Sequence, residues 1–230
     1  MIKKHRKSAR KQHLPTGRFE ANLRRKGYKY IAGCDEVGVG AWAGPLVVAA
    51  VILDPKNPIK GLNDSKKLSP KRRRELCQEI RNKAIDYWVH YCPAEGVDVL
   101  GTYGASRVGM EICASRLAPR VDYVLTDAIK LTNCSVPHRA IIHGDARSIS
   151  VAAASILAKV YRDNYMEAWD DRFPEYGFTE NKGYGTAYHK QALDTYGACY
   201  IHRKTFEPVR QCKKIREEGT EETHGDAIYS

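Results

Sequence analysis

A chain of 230 residues with 38 Lys plus Arg against 27 Asp plus Glu, a formal +11 and a pI near 9.3, can bury one good core and needs no more than one domain plus tails. Its longest apolar run, "AWAGPLVVAAVIL", is broken by glycine and proline and is shorter than the ~20 residues that span a bilayer. The basic opening "MIKKHRKSARKQH" leads into no apolar stretch, so neither a transmembrane segment nor a secretory signal is expected, and the cytoplasm is the expected compartment.

Residues 1–15 are basic and poor in apolar side chains, and 213–230 are polar and mostly acidic; both are expected to be flexible tails around a domain at 16–212. "YKYIAGCDEVG" and "GPLVVAAVILD" read as two strands forming a hairpin around a glycine turn, followed by the polar loop "GLNDSKKLSP". Ser69 as N-cap and Pro70 at the first helical position open the helix "KRRRELCQEIRNK", and "AIDYWVHYC" alternates as a strand. "TYGASRVGMEICASRL" has helical spacing, and "VDYVLTD" is a short strand ending in Asp127. "AIIHGD" then leads into the alanine-rich helix "SISVAAASILAKVYRDNYMEAW", with Asp145 just before its N-terminus. A Gly/Tyr-rich loop, a short helix and a basic exit close the folded part. Strands and helices in this order predict an α/β domain with a central sheet and helices on its faces.

The positive charge fits a polyanionic partner, nucleic acid first, and fits a solubilised surface equally well. Seven cysteines without a C-x-x-C pair are expected to be reduced thiols, with no zinc site.

"CDEVGVGAWAGP" sets two carboxylates directly before three glycines. The glycines do not follow G-x-G-x-x-G, no Gly-Lys-Ser/Thr comes after them, and a strand follows instead of a helix, so dinucleotide and Walker phosphate sites are set aside. Asp35 and Glu36 can converge with strand-end Asp127 and pre-helix Asp145 at one edge of the sheet. Four carboxylates without a histidine partner make an oxygen-only site that suits Mg²⁺ or Mn²⁺ better than zinc. Two such ions can clamp the attacking water and the leaving oxygen of a phosphodiester. Neighbours on a regular strand point to opposite faces, so a twist or bulge at the glycines is expected to bring Glu36 round. Asp163 falls a helix length beyond Asp145 and is assigned to a salt bridge or a solvated face, and His143 to structure.

From Tyr30 to Val209 the chain resembles the type 2 ribonucleases H, specifically bacterial ribonuclease HII, through "GCDEVGVGAWAGPLVVAAVIL", "LNDSKKLSPKRR", "VLTDA", "HGDARSISVAAASILAKVYRD", "YGFTENKGYGT" and "HRKTFEPV". The resemblance implies a ribonuclease H-like mixed sheet flanked by helices, with a C-terminal helical region. It also implies metal-binding, catalytic carboxylates at Asp35, Glu36, Asp127 and Asp145. The implied activity is cleavage of RNA in RNA/DNA hybrids and nicking of duplex DNA 5′ of an embedded ribonucleotide, leaving 3′-hydroxyl and 5′-phosphate ends. Nucleic acid is the implied partner and the chain is expected to be a monomer.

The same resemblance makes Gly38, Val39, Gly40 and Tyr184 contacts to the ribonucleotide. Lys66, Lys67 and Lys182 are candidate phosphate contacts, and each fits a solvated lysine equally well. The sequence departs from the family pattern in three places. Val39 stands where arginine is usual, removing a side-chain phosphate contact. A β-branched residue also disfavours positive φ, so a stiffer or reshaped turn is expected. Asn181 stands where histidine is usual, and Ala128 where glycine usually follows the third carboxylate. Two alternatives are a nuclease with reduced single-ribonucleotide specificity and a hybrid-binding protein without catalysis.

Overall fold

A computed structural model describes residues 14–212, and the sequence tails 1–13 and 213–230 lie outside the described residues. Five strands, β1 (Ile31–Val37), β2 (Leu46–Leu53), β3 (Ala84–Cys92), β4 (Tyr123–Asp127) and β5 (His138–Ile141), form one sheet in the order β3-β2-β1-β4-β5. β1 and β3 run antiparallel to β2, whereas β4 is parallel to β1 and β5 parallel to β4. The sheet is therefore mixed.

Three long helices cover it: α2 (Pro70–Lys83), α3 (Ala94–Arg116) and α4 (Ile149–Asp170), with the shorter α1 (Arg18–Arg25) before the first strand. Every residue of β2 is buried because both its faces are covered. Val48, Ala50 and Ile52 pack with Val97, Met110 and Cys113 of α3; Val47, Ala49 and Val51 pack with Leu76 and Ile80 of α2 and with Ile156 and Leu157 of α4. The small residues of α4 let it lie close on the sheet. At Gly33 of β1 a Cβ would sit 2.2 Å from the Ser150 carbonyl carbon, so this strand–helix approach requires glycine. It seats the start of α4 on Gly33, two residues before Asp35 in β1.

The C-terminal region, α5 (Phe178–Asn181), α6 (Ala187–Tyr196) and α7 (Glu207–Arg210), has a core of its own around Trp169, Phe173, Tyr176, Phe178 and Ile201. The predicted hairpin and the capped helix both form, with the Ser69 side chain accepting from the Arg72 N–H. The chain differs from expectation elsewhere. α1 and β5 are additional to the expected elements, and α3 begins at Ala94, before the expected start, turning through Gly101 in a left-handed conformation (φ 66). The seven cysteines are free thiols, five of them buried.

Candidate active site

The three aspartates reach one point by three different routes. Asp35 is carried by β1, Asp127 ends the adjacent parallel strand β4, and Asp145 sits in a 3-10 turn (Gly144–Ala146) entering α4. Carboxylate oxygens of Asp35, Asp127 and Asp145 lie within 4.8 Å of one another. Backbone donors orient two of them: Glu36 N–H to Asp35 Oδ1 at 2.8 Å and Gly144 N–H to Asp127 Oδ1 at 2.8 Å. His143 reaches the turn with φ 56 and supplies its left-handed entry.

Glu36 is placed differently from the expectation. β1 keeps regular pairing through Asp35↔Ala49 and Glu36↔Val48, with no bulge at the glycines, so the two neighbours emerge on opposite faces. Glu36 accordingly stands outside the mutually close trio. Its carboxylate still feels them: burial first, then Asp127, pushes its pKa up to about 7. Burial and the neighbouring Glu36 and Asp127 also hold Asp35 well above the usual carboxylate range, and burial with Asp64 raises Asp145.

These observations test whether a cation fits. Like charges crowd together in a half-dry site, and Glu36 Oε2 is buried without a hydrogen-bond partner. Oxygen donors alone, short of counter-charge, are the donor set of a hard divalent ion. The residues present fit such a divalent ion.

The glycine turn beside the carboxylates is clamped from below by two arginines with no exposed surface, Arg162 and Arg203. Arg162 donates from Nε to Pro45 O (2.9 Å), from Nη1 to Lys182 O (2.8 Å) and from Nη2 to Ala43 O (3.1 Å). Arg203 donates from Nε to Gly44 O (3.1 Å) and from Nη1 to Val39 O (3.2 Å). Gly183 O accepts from Trp42 N–H and Ala43 N–H, which ties the 181–185 loop to the turn. Gly38 has φ 95, and a Cβ there would meet Arg162 Nε at 2.4 Å. Gly40 is the opposite case, with no left-handed φ and open space where a Cβ would go. Val39 is absent from the positive-φ residues among those described and is 40% exposed, so the positive φ that a β-branched residue disfavours does not arise there.

Tyr184 bridges to Ala41 and has the Arg162 guanidinium 5.2 Å from its ring centroid, which sets it against the turn. Lys66 and Lys67 are exposed in a 3-10 turn capped by Asp64; Lys66 offsets only part of the burial-driven rise at Glu36 and Asp145, and Lys67 lies 3.7 Å from Asp64. Lys182 is engaged within the chain, its ammonium on Glu167 (2.7 Å) and on the Thr179 carbonyl, so a phosphate contact from it must break that pairing. Asn181 holds the loop, donating to Tyr176 O (2.6 Å) and accepting from Gly183 N–H (2.7 Å). Ala128 adopts φ 51, which is the physical reason a glycine suits that position. Asp163 pairs with Arg73 (3.2 Å) and Lys159 (2.6 Å), the structural role expected of it. Sequence reasoning missed Arg162, the buried role of Arg203, Asp64 beside Asp145, and Glu20. That last carboxylate accepts from Ser148 Oγ, Ser150 N–H and Ser150 Oγ at 2.5, 3.0 and 2.8 Å and anchors the start of α4.

A mixed sheet with aspartates at the ends of two adjacent parallel strands and at the entry to the following helix defines a ribonuclease H-like hydrolase. The ribonuclease HII family profile matches residues 32–209. Ribonuclease HII of Solibacter usitatus is 48% identical over 192 residues, covering 84% of each chain, and that of a Geobacillus species is 41% identical over 228 residues, covering 98% of this chain and 82% of the relative. Among solved structures, the ribonuclease H2 of Pyrococcus horikoshii OT3 superposes with a TM-score of 0.66 at 25% identity, over 80% of this chain and 97% of that one. The ribonuclease HII of Archaeoglobus fulgidus, solved in complex with PCNA, gives 0.65 at 26% identity, over 80% and 97% of the two chains. The chain belongs to the ribonuclease HII family, metal-dependent endonucleases that act on RNA in RNA/DNA hybrids.

Proposed function

We propose that this endonuclease holds a pair of divalent ions, Mg²⁺ or Mn²⁺, on Asp35, Glu36, Asp127 and Asp145. Besides cutting hybrids, it nicks duplex DNA on the 5′ side of an embedded ribonucleotide. The observation that carries this reading is the convergence of three aspartate oxygens within 4.8 Å beside the unpartnered, buried Glu36 oxygen. Asp35, Glu36, Asp127 and Asp145 would hold the ions, whose charge would neutralise the carboxylates and activate a water for attack on phosphorus, leaving 3′-hydroxyl and 5′-phosphate ends.

The chain's own residues do the rest. The N–H groups of Glu36 and Gly144 hold the Asp35 and Asp127 carboxylates in fixed orientations, which limits reorganisation when charge develops. Among the described residues nothing lies where a Cβ at Gly40 would go, and close approach of a substrate backbone would account for the glycine. Gly38, Val39 and Gly40 would then read the ribose 2′-hydroxyl through main-chain atoms, with Tyr184 against the sugar. Exposed Lys66 and Lys67 are offered as phosphate contacts. A monomer in the cytoplasm completes the reading; among the described residues no helix is long and apolar enough to cross a membrane.

The test is cleavage mapping on a duplex with one ribonucleotide, an RNA/DNA hybrid and an all-DNA duplex, each with Mg²⁺ and with Mn²⁺. A nick 5′ of the ribonucleotide supports the proposal, and absence of cleavage with both ions ends it.

A further inference from the structure

Phe19 of α1 carries two guanidiniums: Arg139 of β5 lies 5.2 Å from its ring centroid and Arg147, two residues beyond Asp145, lies 5.4 Å from it. Two like charges held on one ring repel each other unless an anion lies near. Among the described residues neither guanidinium has a carboxylate partner; that of Arg147 donates to the Ile142 carbonyl (3.1 Å). The acids close by in sequence are committed elsewhere. Glu20, the single acid of α1, is fully buried against Ser148 and Ser150, and Asp122 accepts from the N–H groups of Lys29 and Tyr30.

The face left to solvent is therefore cationic. Arg18, Arg25, Lys26, Arg139 and Arg147 are all exposed, and two hollows flank Phe19. Arg25, Lys26 and Arg139 line one; Arg18 and Arg147 line the other, next to Ala146. The strip starts at the turn that carries Asp145 and follows α1, about 12 Å of helix at 1.5 Å per residue. Planar guanidiniums braced on an aromatic ring present their donors in a fixed direction, which suits phosphate oxygens.

We propose that this strip is a second nucleic-acid contact, gripping phosphates of the substrate duplex that flank the scissile position as the duplex leaves the carboxylates. It rests on the nuclease reading, which supplies the duplex. Arg139 and Arg147 hold adjacent phosphates, and Arg25 and Lys26 extend the track along one arm.

The experiment measures the salt dependence of binding of the full chain to an all-DNA duplex in EDTA, where nothing is cut. Each phosphate contact contributes about 0.9 to the slope of log affinity against log salt, so Arg139→Ala with Arg147→Ala should lower the slope by about 1.8. The affinity lost between 50 and 200 mM salt then shrinks about tenfold relative to the unaltered chain. The double lysine replacement Arg139→Lys with Arg147→Lys keeps the charges and should restore the slope. Arg25→Ala with Lys26→Ala, at exposed positions, tests the same track without touching Phe19. Slopes equal to the unaltered chain's in both alanine pairs overturn the proposal. A chain that fails to cut any ribonucleotide-containing duplex refutes the nuclease reading, and the EDTA slope still reports on the strip by itself.

Discussion

Arg203 and Val39, 164 positions apart in sequence, are joined by a 3.2 Å hydrogen bond from the guanidinium Nη1 to the carbonyl of the turn. The backbone of the glycine turn is thus held from beneath, and the side chain at position 39 is free to vary on its outer surface. Val39→Arg should leave thermal stability unchanged, because the position has an ordinary φ and an exposed side chain. It should raise the rate on a single embedded ribonucleotide relative to an RNA/DNA hybrid. Parallel rate measurements on the two substrates check this, and an unchanged ratio removes the side chain from substrate selection.

Gly38 and Gly40 separate folding from substrate contact. Gly38→Ala puts a Cβ on the Arg162 side chain in a left-handed conformation and should destabilise the fold by about 1–3 kcal/mol. Gly40→Ala meets open space, so its stability should stay within about 0.5 kcal/mol while cleavage of the ribonucleotide duplex falls. Urea unfolding and steady-state rates on both variants decide it; a stability loss at position 40 contradicts the assignment.

Arg162→Met should destabilise by about 3 kcal/mol or more, since the carbonyls of Ala43, Pro45 and Lys182 lose their buried donor together. Activity should fall in proportion to the loss of turn geometry even at temperatures where the variant is folded. Denaturant titration and single-turnover cleavage at low temperature measure the two effects.

Asp35→Asn should abolish cleavage and, without metal, raise the unfolding temperature, because it removes one charge from a cluster that repels itself. The unaltered chain should gain stability when Mg²⁺ or Mn²⁺ is added, and this variant should gain little. Thermal melts in EDTA and in each ion test both statements. An equal metal-induced shift in the two proteins would place the ions elsewhere.

His189 and His202 face each other in the C-terminal core, Nε2 to Nε2 at 3.0 Å. Burial, then the neighbouring His189, pushes His202 down to about 3, and burial lowers His189 as well. Unfolded histidine takes a proton near pH 6.5, before the folded rings can. The stabilisation is therefore complete above pH ~6.5 and is lost progressively as pH falls toward about 3. The unfolding midpoint in saturating Mg²⁺ should decline across that window, and His202→Asn should flatten the decline.

The sheet and most of the site were legible because their signals are local. A β-branched run such as "LVVAAVIL" declares a doubly covered strand, and Ser69-Pro70 declares a helix start, since neighbouring residues create both signals. Asp127 and Asp145 could be placed at element ends for the same reason. Glu36 was harder: the expected bulge is absent, and only the structure shows it standing outside the close trio of aspartates. α1 escaped notice because it is only eight residues long and directly follows the basic opening, and it is held in place by Glu20 and Leu23 reaching partners far along the chain. Lys182 looked like a free cation until the fold set Glu167 beside it.

By itself the sequence determined the kind of chemistry: carboxylates at strand ends, without histidine ligands, predict divalent ions, and the ordered motifs from Tyr30 to Val209 indicate a type 2 ribonuclease H. Only the tertiary structure decided how that chemistry is held. In one dimension nothing marks Arg162 or Arg203 for a buried role. Burial turns them into the clamp of the glycine turn, because a guanidinium taken out of water must spend its donors on whatever carbonyls the fold brings within reach. The cationic strip on Phe19 has the same origin, since α1, β5 and the Asp145 turn meet only after the sheet has formed.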